Sequence, residues 1–183
     1  MYYLRCIAPE KWESKGCLDA VSVSDLDTED NDISVWQIND MSELEEAGLT
    51  IAMTKDRIKE VNVVIMEDKQ LKELGLEITD QQGTSRYAEK NNSHKNIYVP
   101  TFWEIGYLTE YIHNQLKDEK NFHYFAEAEL NETLYKVVKK GSMNYQFMSD
   151  KDGSKLRGTL ISICCQKKDS ELRRELEDMA SKK

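Results

Sequence analysis

The sequence is poor in the residues and patterns that mark catalytic and metal-binding sites. Its 183 residues include two prolines, three histidines, eight glycines and four cysteines, and no C-x-x-C pair occurs. Neither G-x-x-x-x-G-K-S/T nor G-x-G-x-x-G is found, which disfavours a nucleotide-dependent enzyme, and the ligand spacings of zinc sites are also missing. We therefore expect neither a cofactor nor a metal site.

Long apolar runs and a secretory signal are missing as well. No stretch has the length of apolar residues that a membrane span needs, and MYYLRCIAP at the N-terminus lacks the basic and apolar regions of a signal peptide. The vicinal pair Cys164 and Cys165 lies in the apolar run TLISICC, which favours small buried side chains kept reduced. These features predict a globular cytoplasmic protein without membrane contact.

Basic residues are absent from one long stretch. Asp25 to Glu46 holds nine carboxylates and no Lys or Arg, and residues 1–46 as a whole carry 12 acidic and 3 basic side chains. The rest of the chain is balanced, so this segment accounts for the net charge of −9. Such asymmetry steers basic partners toward one face and disfavours nucleic acid there.

The first 75 residues predict most of the sheet. The segments with strand-like composition or alternation are YYLRCIA near the N-terminus, 20–24, 33–38 and 61–67. In this prediction the acidic run that begins at Asp25 connects the strand at 20–24 to the strand at 33–38. A capping box at Asp40 and Glu43 predicts a helix from about 41 to 57, and a short helix ends at Gly75.

The second part of the chain predicts helices and one long connection. Residues 76–100 are polar and without periodicity, which indicates a long loop. Thr101 and Glu104 form a second capping box before a helix to about Lys117, and another helix runs from about Tyr124 to Lys140.

The C-terminal segment contains a strong turn signal. Asp152-Gly153 predicts a hairpin over 143–165. The last helix has a thin apolar stripe, so it either covers an edge of the fold or meets a partner. The predicted fold class is α+β in a single domain, 1–183, with a small mixed sheet in 1–75 followed by a mainly helical half, 101–183.

A calcium site in the acidic run fails on spacing. An EF-hand loop that starts at Asp25 needs Gly at its sixth position and a bidentate Glu at its twelfth. The sequence has Asp30 and Trp36 at those positions. The carboxylates therefore favour a protein-binding patch or a solvated connector over a metal site.

The polar segment 81–97 offers an alternative site. Arg86, Tyr87 and His94 have the composition of general acid and base chemistry on phosphodiesters. They predict a metal-dependent, nuclease-like hydrolase, although their spacing matches no established motif, and a plain polar loop is the simpler interpretation.

Four segments resemble a group of small accessory proteins. YLRCIAPEKW, DLDTEDNDISVWQI, GLTIAMTKDRIKEVNVVIME and SHKNI, within about residues 2–97, are together similar to small prokaryotic accessory proteins of defence operons, including CRISPR-associated ones. The resemblance implies an adaptor or regulatory subunit rather than an enzyme. It transfers no functional residue to this chain.

The sequence therefore predicts a non-catalytic interaction or regulatory subunit that binds a basic protein partner through an acidic surface. The predicted partner-binding residues are Asp25, Asp27, Glu29, Asp30, Asp32, Trp36, Glu43 and Glu46. Carboxylates raise association rates and aromatic side chains supply affinity, which is the reason for including Trp36. The alternatives for the same stretch are a hydrated connector, with the partner surface elsewhere on the protein, and an acidic mimic of DNA.

Overall fold

One six-stranded sheet organises the molecule. The computed structural model describes residues 1–12, 18–26, 28, 30–55, 57–151 and 153–181. The strands are β1 (Tyr2–Cys6), β2 (Asp32–Ile38), β3 (Val61–Glu67), β4 (Glu77–Asp80), β5 (His94–Tyr98) and β6 (Phe122–Phe125). Their order is β4-β5-β2-β1-β3-β6, and every described pair is antiparallel.

Helices cover both faces of this sheet. They are α1 (Ala20–Val23), α2 (Leu44–Ala52), α3 (Asp68–Glu73), α4 (Phe102–Gln115), α5 (Glu127–Lys139), α6 (Ser154–Lys167) and α7 (Ser170–Ser181). Buried residues of α2, α5, α6 and α7 share one core with the sheet, and those of α3 and α4 share the other. The α+β class is confirmed, in a three-layer arrangement.

The central strands are covered on both sides, which explains their composition. In β1, Leu4 joins one core and Tyr3 the other, and in β3 Val63 and Val64 alternate in the same way. The continuous apolar run of β3 is therefore the pattern of a strand buried on both faces, as predicted.

The predicted strand at 20–24 is wrong. These residues form the short helix α1, because the side chain of Asp19 accepts hydrogen bonds from the backbone N–H groups of Val21 and Ser22. A capping carboxylate stabilises the first turn of a helix, and it outweighs the alternation of AVSVS. The acidic run thus connects a helix to β2.

The predicted loop over 76–100 holds regular structure instead. It contains β4, a 3-10 helix at Ala88–Ser93, and β5, which pairs with β2. Its polar side chains find partners across the sheet: the Asn96 amide donates to Asp32 at 3.0 Å, and Lys95 pairs with Asp80 at 2.7 Å. The sheet therefore extends beyond the first 75 residues, and β6 adds another strand just before α5.

The predicted hairpin at 143–165 is also replaced by a helix. Leu156, Leu160 and Cys164 are buried on one side of α6, at the spacing of four residues that a helix requires. Asp152, the first residue of the turn signal, lies outside the described residues. The exposed Cys165 departs from the buried vicinal pair that the sequence predicted.

Helix α2 is shorter than predicted, and α7 packs on its own chain. The helix predicted to reach 57 ends at Ala52, after a 3-10 turn at Met41–Glu43. Leu172 and Leu176 of α7 are buried in the core shared with α6, so the thin stripe covers an edge of the fold. Among the described residues, no helix is long and apolar enough to cross a membrane.

Candidate functional site

The first carboxylate of the acidic run acts inside the fold. Asp25 accepts hydrogen bonds from the Trp12 indole N–H at 2.6 Å and from the Ala8 backbone N–H at 2.9 Å. Lys11 lies 3.8 Å from the same carboxylate. Asp25 therefore fastens the segment after β1 to the end of α1 and is not a free partner-binding group.

Trp36 is also internal. It is 6% exposed in the core between β2 and the covering helices, so it does not offer the exposed aromatic surface that the sequence prediction needed. The predicted residue Asp32 is partly exposed at the start of β2 and accepts the hydrogen bond from Asn96.

The last two predicted carboxylates stabilise local structure. Glu43 accepts a hydrogen bond from the Asn39 backbone N–H at 2.9 Å. Glu46 pairs with Lys90 at 2.9 Å and accepts a hydrogen bond from the Tyr87 hydroxyl at 3.4 Å. The contacts of Glu46 hold α2 against the 3-10 helix between β4 and β5.

Asp30 remains available at the surface. It is exposed at a tight turn, where Asp30 and Asn31 both adopt left-handed backbone conformations, with φ of 56° and 64°. Asp and Asn tolerate this region better than most residues. The Asn31 carbonyl accepts a hydrogen bond from the Val99 N–H at 2.8 Å. The predicted Asp27 and Glu29 lie outside the described residues.

The hydrogen bond between the Val99 N–H and the Asn31 carbonyl connects the acidic turn to an exposed aromatic cluster at the start of α4. Phe102 is 90% exposed and Trp103 is 73% exposed. Thr101 caps the helix by accepting a hydrogen bond from the Trp103 N–H and by donating one to Glu104. The capping box therefore fixes the first turn that carries both rings.

Tyr98 and Tyr107 extend the cluster on either side. Tyr107 lies one turn after Trp103 and shares its helix face. Tyr98 is exposed at the end of β5, where the register places it between Asp32 of β2 and Glu77 of β4. We call the set Asp30, Asp32, Glu77, Tyr98, Phe102, Trp103 and Tyr107 the acidic–aromatic surface.

The two segments that carry most of this surface lack basic residues. Residues 18–54 and 96–116 contain no Lys or Arg, and these two segments meet at the bond between Asn31 and Val99. A surface of this kind repels phosphate backbones and attracts basic side chains.

Sequence reasoning missed these aromatic residues, although the signal was present. Ile105, Leu108 and Ile112 mark the core-facing side of α4, and Leu108 and Ile112 are fully buried. Phe102 and Trp103 lie outside that stripe, within the capping box, so the pattern that predicted the helix also predicts their exposure.

The alternative loop site is not assembled as predicted. Tyr87 is buried, and its pKa is raised by burial and by Glu46, which its hydroxyl contacts. The backbone N–H of Arg86 donates to the Met53 carbonyl, whereas His94 contacts the Trp36 ring. Only His94 of these three residues lines the pocket beside Trp36.

Neither metal-ligating side chains nor similarity to known proteins gives a further indication of function. No group of three or more His, Cys, Asp or Glu side chains suited to a metal ion occurs in the part of the chain that the structure describes. Searches with family models, among curated proteins and among solved structures find no match to this chain. The chemistry of the acidic–aromatic surface is therefore the remaining indication of function.

Proposed function

We propose that this protein is a non-catalytic interaction subunit that binds a basic protein partner through the acidic–aromatic surface. The observation that carries the proposal is the exposure of Phe102 and Trp103, 90% and 73%, beside the acidic turn at Asp30. Adjacent exposed aromatic side chains on a rigid helix start are unusual in a monomer surface and mark interaction sites.

Two physical contributions support binding at this surface. Burying a large apolar side chain contributes about 1.5–3 kcal/mol, and Trp and Tyr are among the residues that dominate binding energy at protein interfaces. The carboxylates around them raise the association rate of a basic partner, an effect that salt screens.

The chemistry of the surface indicates which side chains the binding segment of the partner contains. It carries Lys or Arg beside apolar side chains, so that the cations meet Asp30 and Glu77 while the apolar groups cover Phe102 and Trp103. An Arg guanidinium stacked on an exposed indole gains a further cation–π attraction. Nucleic acid is disfavoured because the surface shares the sign of its phosphates.

The resemblance to accessory proteins of prokaryotic defence operons, including CRISPR-associated ones, agrees with this proposal. An adaptor or regulatory subunit in such a system acts in the cytoplasm by holding another protein. No observation in the described residues favours the hydrolase or the DNA mimic over this function, since Asp25 and Glu46 are occupied by internal contacts.

The test is affinity capture from host cell extract with wild type and two matched variants. Phe102→Ser with Trp103→Ser removes the aromatic cluster, and Tyr124→Ser removes an exposed aromatic residue on β6, at the opposite edge of the sheet. We expect one stoichiometric protein, retained by the Tyr124 variant, lost with the double variant and weakened at high salt. Equal recovery by the wild type and the double variant would contradict the proposal.

A further inference from the structure

A second feature of the fold borders the acidic–aromatic surface at Asp32, since the Asn96 amide donates to both the Asp32 carboxylate and the pocket residue Gln81. A pocket of about 500 Å³ opens between the C-terminal end of α2, residues 81–84 and the ends of β1, β2 and β3. Pockets of this size accept small molecules. Its lining includes the apolar side chains Trp36, Ile51 and Val61 and several amide and hydroxyl groups.

His94 lines this pocket, but one of its polar atoms lies inside the protein. The side chain is 9% exposed, and its buried Nδ1 has no hydrogen-bond partner among the described residues. Burial lowers the pKa of His94, an effect opposed in part by a hydrogen bond to the Gln81 backbone. A molecule in the pocket therefore contacts other atoms of His94 and leaves Nδ1 enclosed.

Residues 81–84 approach the ring of Trp36 closely. A Cβ added at Gly83 would lie 2.6 Å from the Trp36 ring and 3.0 Å from the His94 Cβ. The Gly83 N–H donates to the Asn91 carbonyl at 3.0 Å, which holds this wall in place. The wall is therefore preformed, and only glycine fits there without displacing Trp36 or His94.

The charge of the lining is positive. Lys55 and Lys59 are exposed and form no ion pair with any residue that the structure describes. Arg5 adds a third cation, with its guanidinium donating to the Ser34 and Asp25 carbonyls. Glu60 is the single carboxylate among the lining residues that the structure describes.

The uncharged polar groups of the lining both donate and accept hydrogen bonds. They are Ser34, Thr54, Asn62, Gln81, Gln82 and Thr84. Amides and hydroxyls of this kind suit a ligand with several hydroxyl or amide groups. The two lysines suit an anionic group at one end of the same molecule.

We infer that this pocket binds a small phosphate ester, such as a sugar phosphate or a nucleoside phosphate. The phosphate group pairs with Lys55 and Lys59, and a hydroxyl or amide of the ligand body hydrogen-bonds to the side-chain amides of Asn62 and Gln82 beside Trp36. This inference is independent of the proposed protein partner, because Lys55 and Lys59 lie between α2 and β3, whereas the exposed rings of Phe102 and Trp103 lie at the start of α4.

Calorimetric titration of the full chain with three probes tests the inference. Ribose 5-phosphate and adenosine 5′-monophosphate share the phosphate ester and differ in the body, and inorganic phosphate lacks the body. We expect at least one ester to bind about tenfold or more tightly than inorganic phosphate. No binding of either ester at millimolar concentration, or equal binding of inorganic phosphate, would overturn the inference.

Substitutions of the pocket lysines test whether the ester binds in this pocket. Lys55→Gln with Lys59→Gln is expected to weaken the ester about tenfold or more, whereas the same charge change at the exposed Lys120 and Lys140 leaves it unchanged. Because the pocket lysines are exposed, their replacement preserves the fold, which thermal unfolding verifies. Equal affinity of both double variants would show binding elsewhere and would refute the assignment to this pocket.

Gln82→Ala provides a separate readout of the ligand body. Loss of this pocket-lining amide is expected to weaken the ester without weakening inorganic phosphate. Because Gln82 is exposed, its replacement preserves the fold. An ester affinity unchanged in this variant would remove Gln82 from the site.

Discussion

Helices α4 and α7 differ in how they use their apolar residues. From sequence, the thin stripe of α7 left open a contact with a partner, and α4 looked like an ordinary core helix. In the structure α7 buries Leu172 and Leu176 on its own chain, whereas α4 buries Leu108 and leaves Phe102 and Trp103 in solvent. Apolar residues outside the core-facing stripe, rather than a thin stripe, indicate a free surface.

The N-terminus of α7 explains its docking. Asp169 accepts hydrogen bonds from the Tyr135 hydroxyl at 2.9 Å and the Leu172 N–H at 3.3 Å, and Lys139 lies 2.7 Å from its carboxylate. These contacts join α7 to α5. The start of α4, by contrast, is held by its own capping box, which leaves its first-turn rings uncovered.

The largest expected effect is on the core contact of α7. Leu176→Ala removes a fully buried side chain, and such changes cost about 2–5 kcal/mol through lost burial and the cavity that remains. We expect a clear drop in the free energy of unfolding, measured by urea denaturation. A loss below about 1 kcal/mol would mean that α7 is not part of the core.

A smaller effect concerns the pH dependence of α7 docking. Lys139 and Tyr135 lower the pKa of Asp169, so the folded state favours the carboxylate. The resulting stability is present above the ordinary Asp pKa near 4 and is lost as pH falls through the lowered value. In Asp169→Asn, unfolding at neutral pH is expected to become easier while the stability below pH 3 changes little. An equal loss at both pH values would contradict the ionic role.

The smallest effect on stability is expected at the start of α4. Trp103→Ser changes an exposed side chain and should alter the free energy of unfolding by less than about 0.5 kcal/mol. Tyr124→Ser serves as the exposed control on β6. A loss above about 2 kcal/mol for Trp103→Ser would show that the indole is a structural contact, and the contrast with α7 would disappear.

Capping boxes and apolar runs along the chain predicted some helices and strands correctly. Other elements depend on contacts between residues that are distant in sequence, and these were missed. The capping box at Thr101 predicted α4, and the run of β3 predicted a doubly covered strand. Strands β4 and β5 were missed because their polar residues are satisfied only across the sheet, as in the bond from Asn96 to Asp32. Helix α6 was missed because a turn signal was preferred over the four-residue spacing of its buried side chains.

The proposed surface shares acidic residues with the site predicted from the sequence and differs from it in the aromatic ones. The acidic run contains Asp30 of the proposed surface, whereas Trp36, the aromatic residue predicted for binding, is buried and Trp103 is exposed. The side chain of Trp36 faces a core completed by residues distant in sequence, so the alternation of β2 alone did not reveal how deeply it is buried.

The most direct test measures the affinity of the captured partner, once purified, for wild type and three variants at low and high salt. The proposal predicts that Phe102→Ser with Trp103→Ser weakens binding at least about thirtyfold, while Tyr124→Ser has no effect. Asp30→Asn should slow association at low salt and lose this effect at high salt. A partner that binds the double aromatic variant as tightly as wild type would contradict the acidic–aromatic surface as its site.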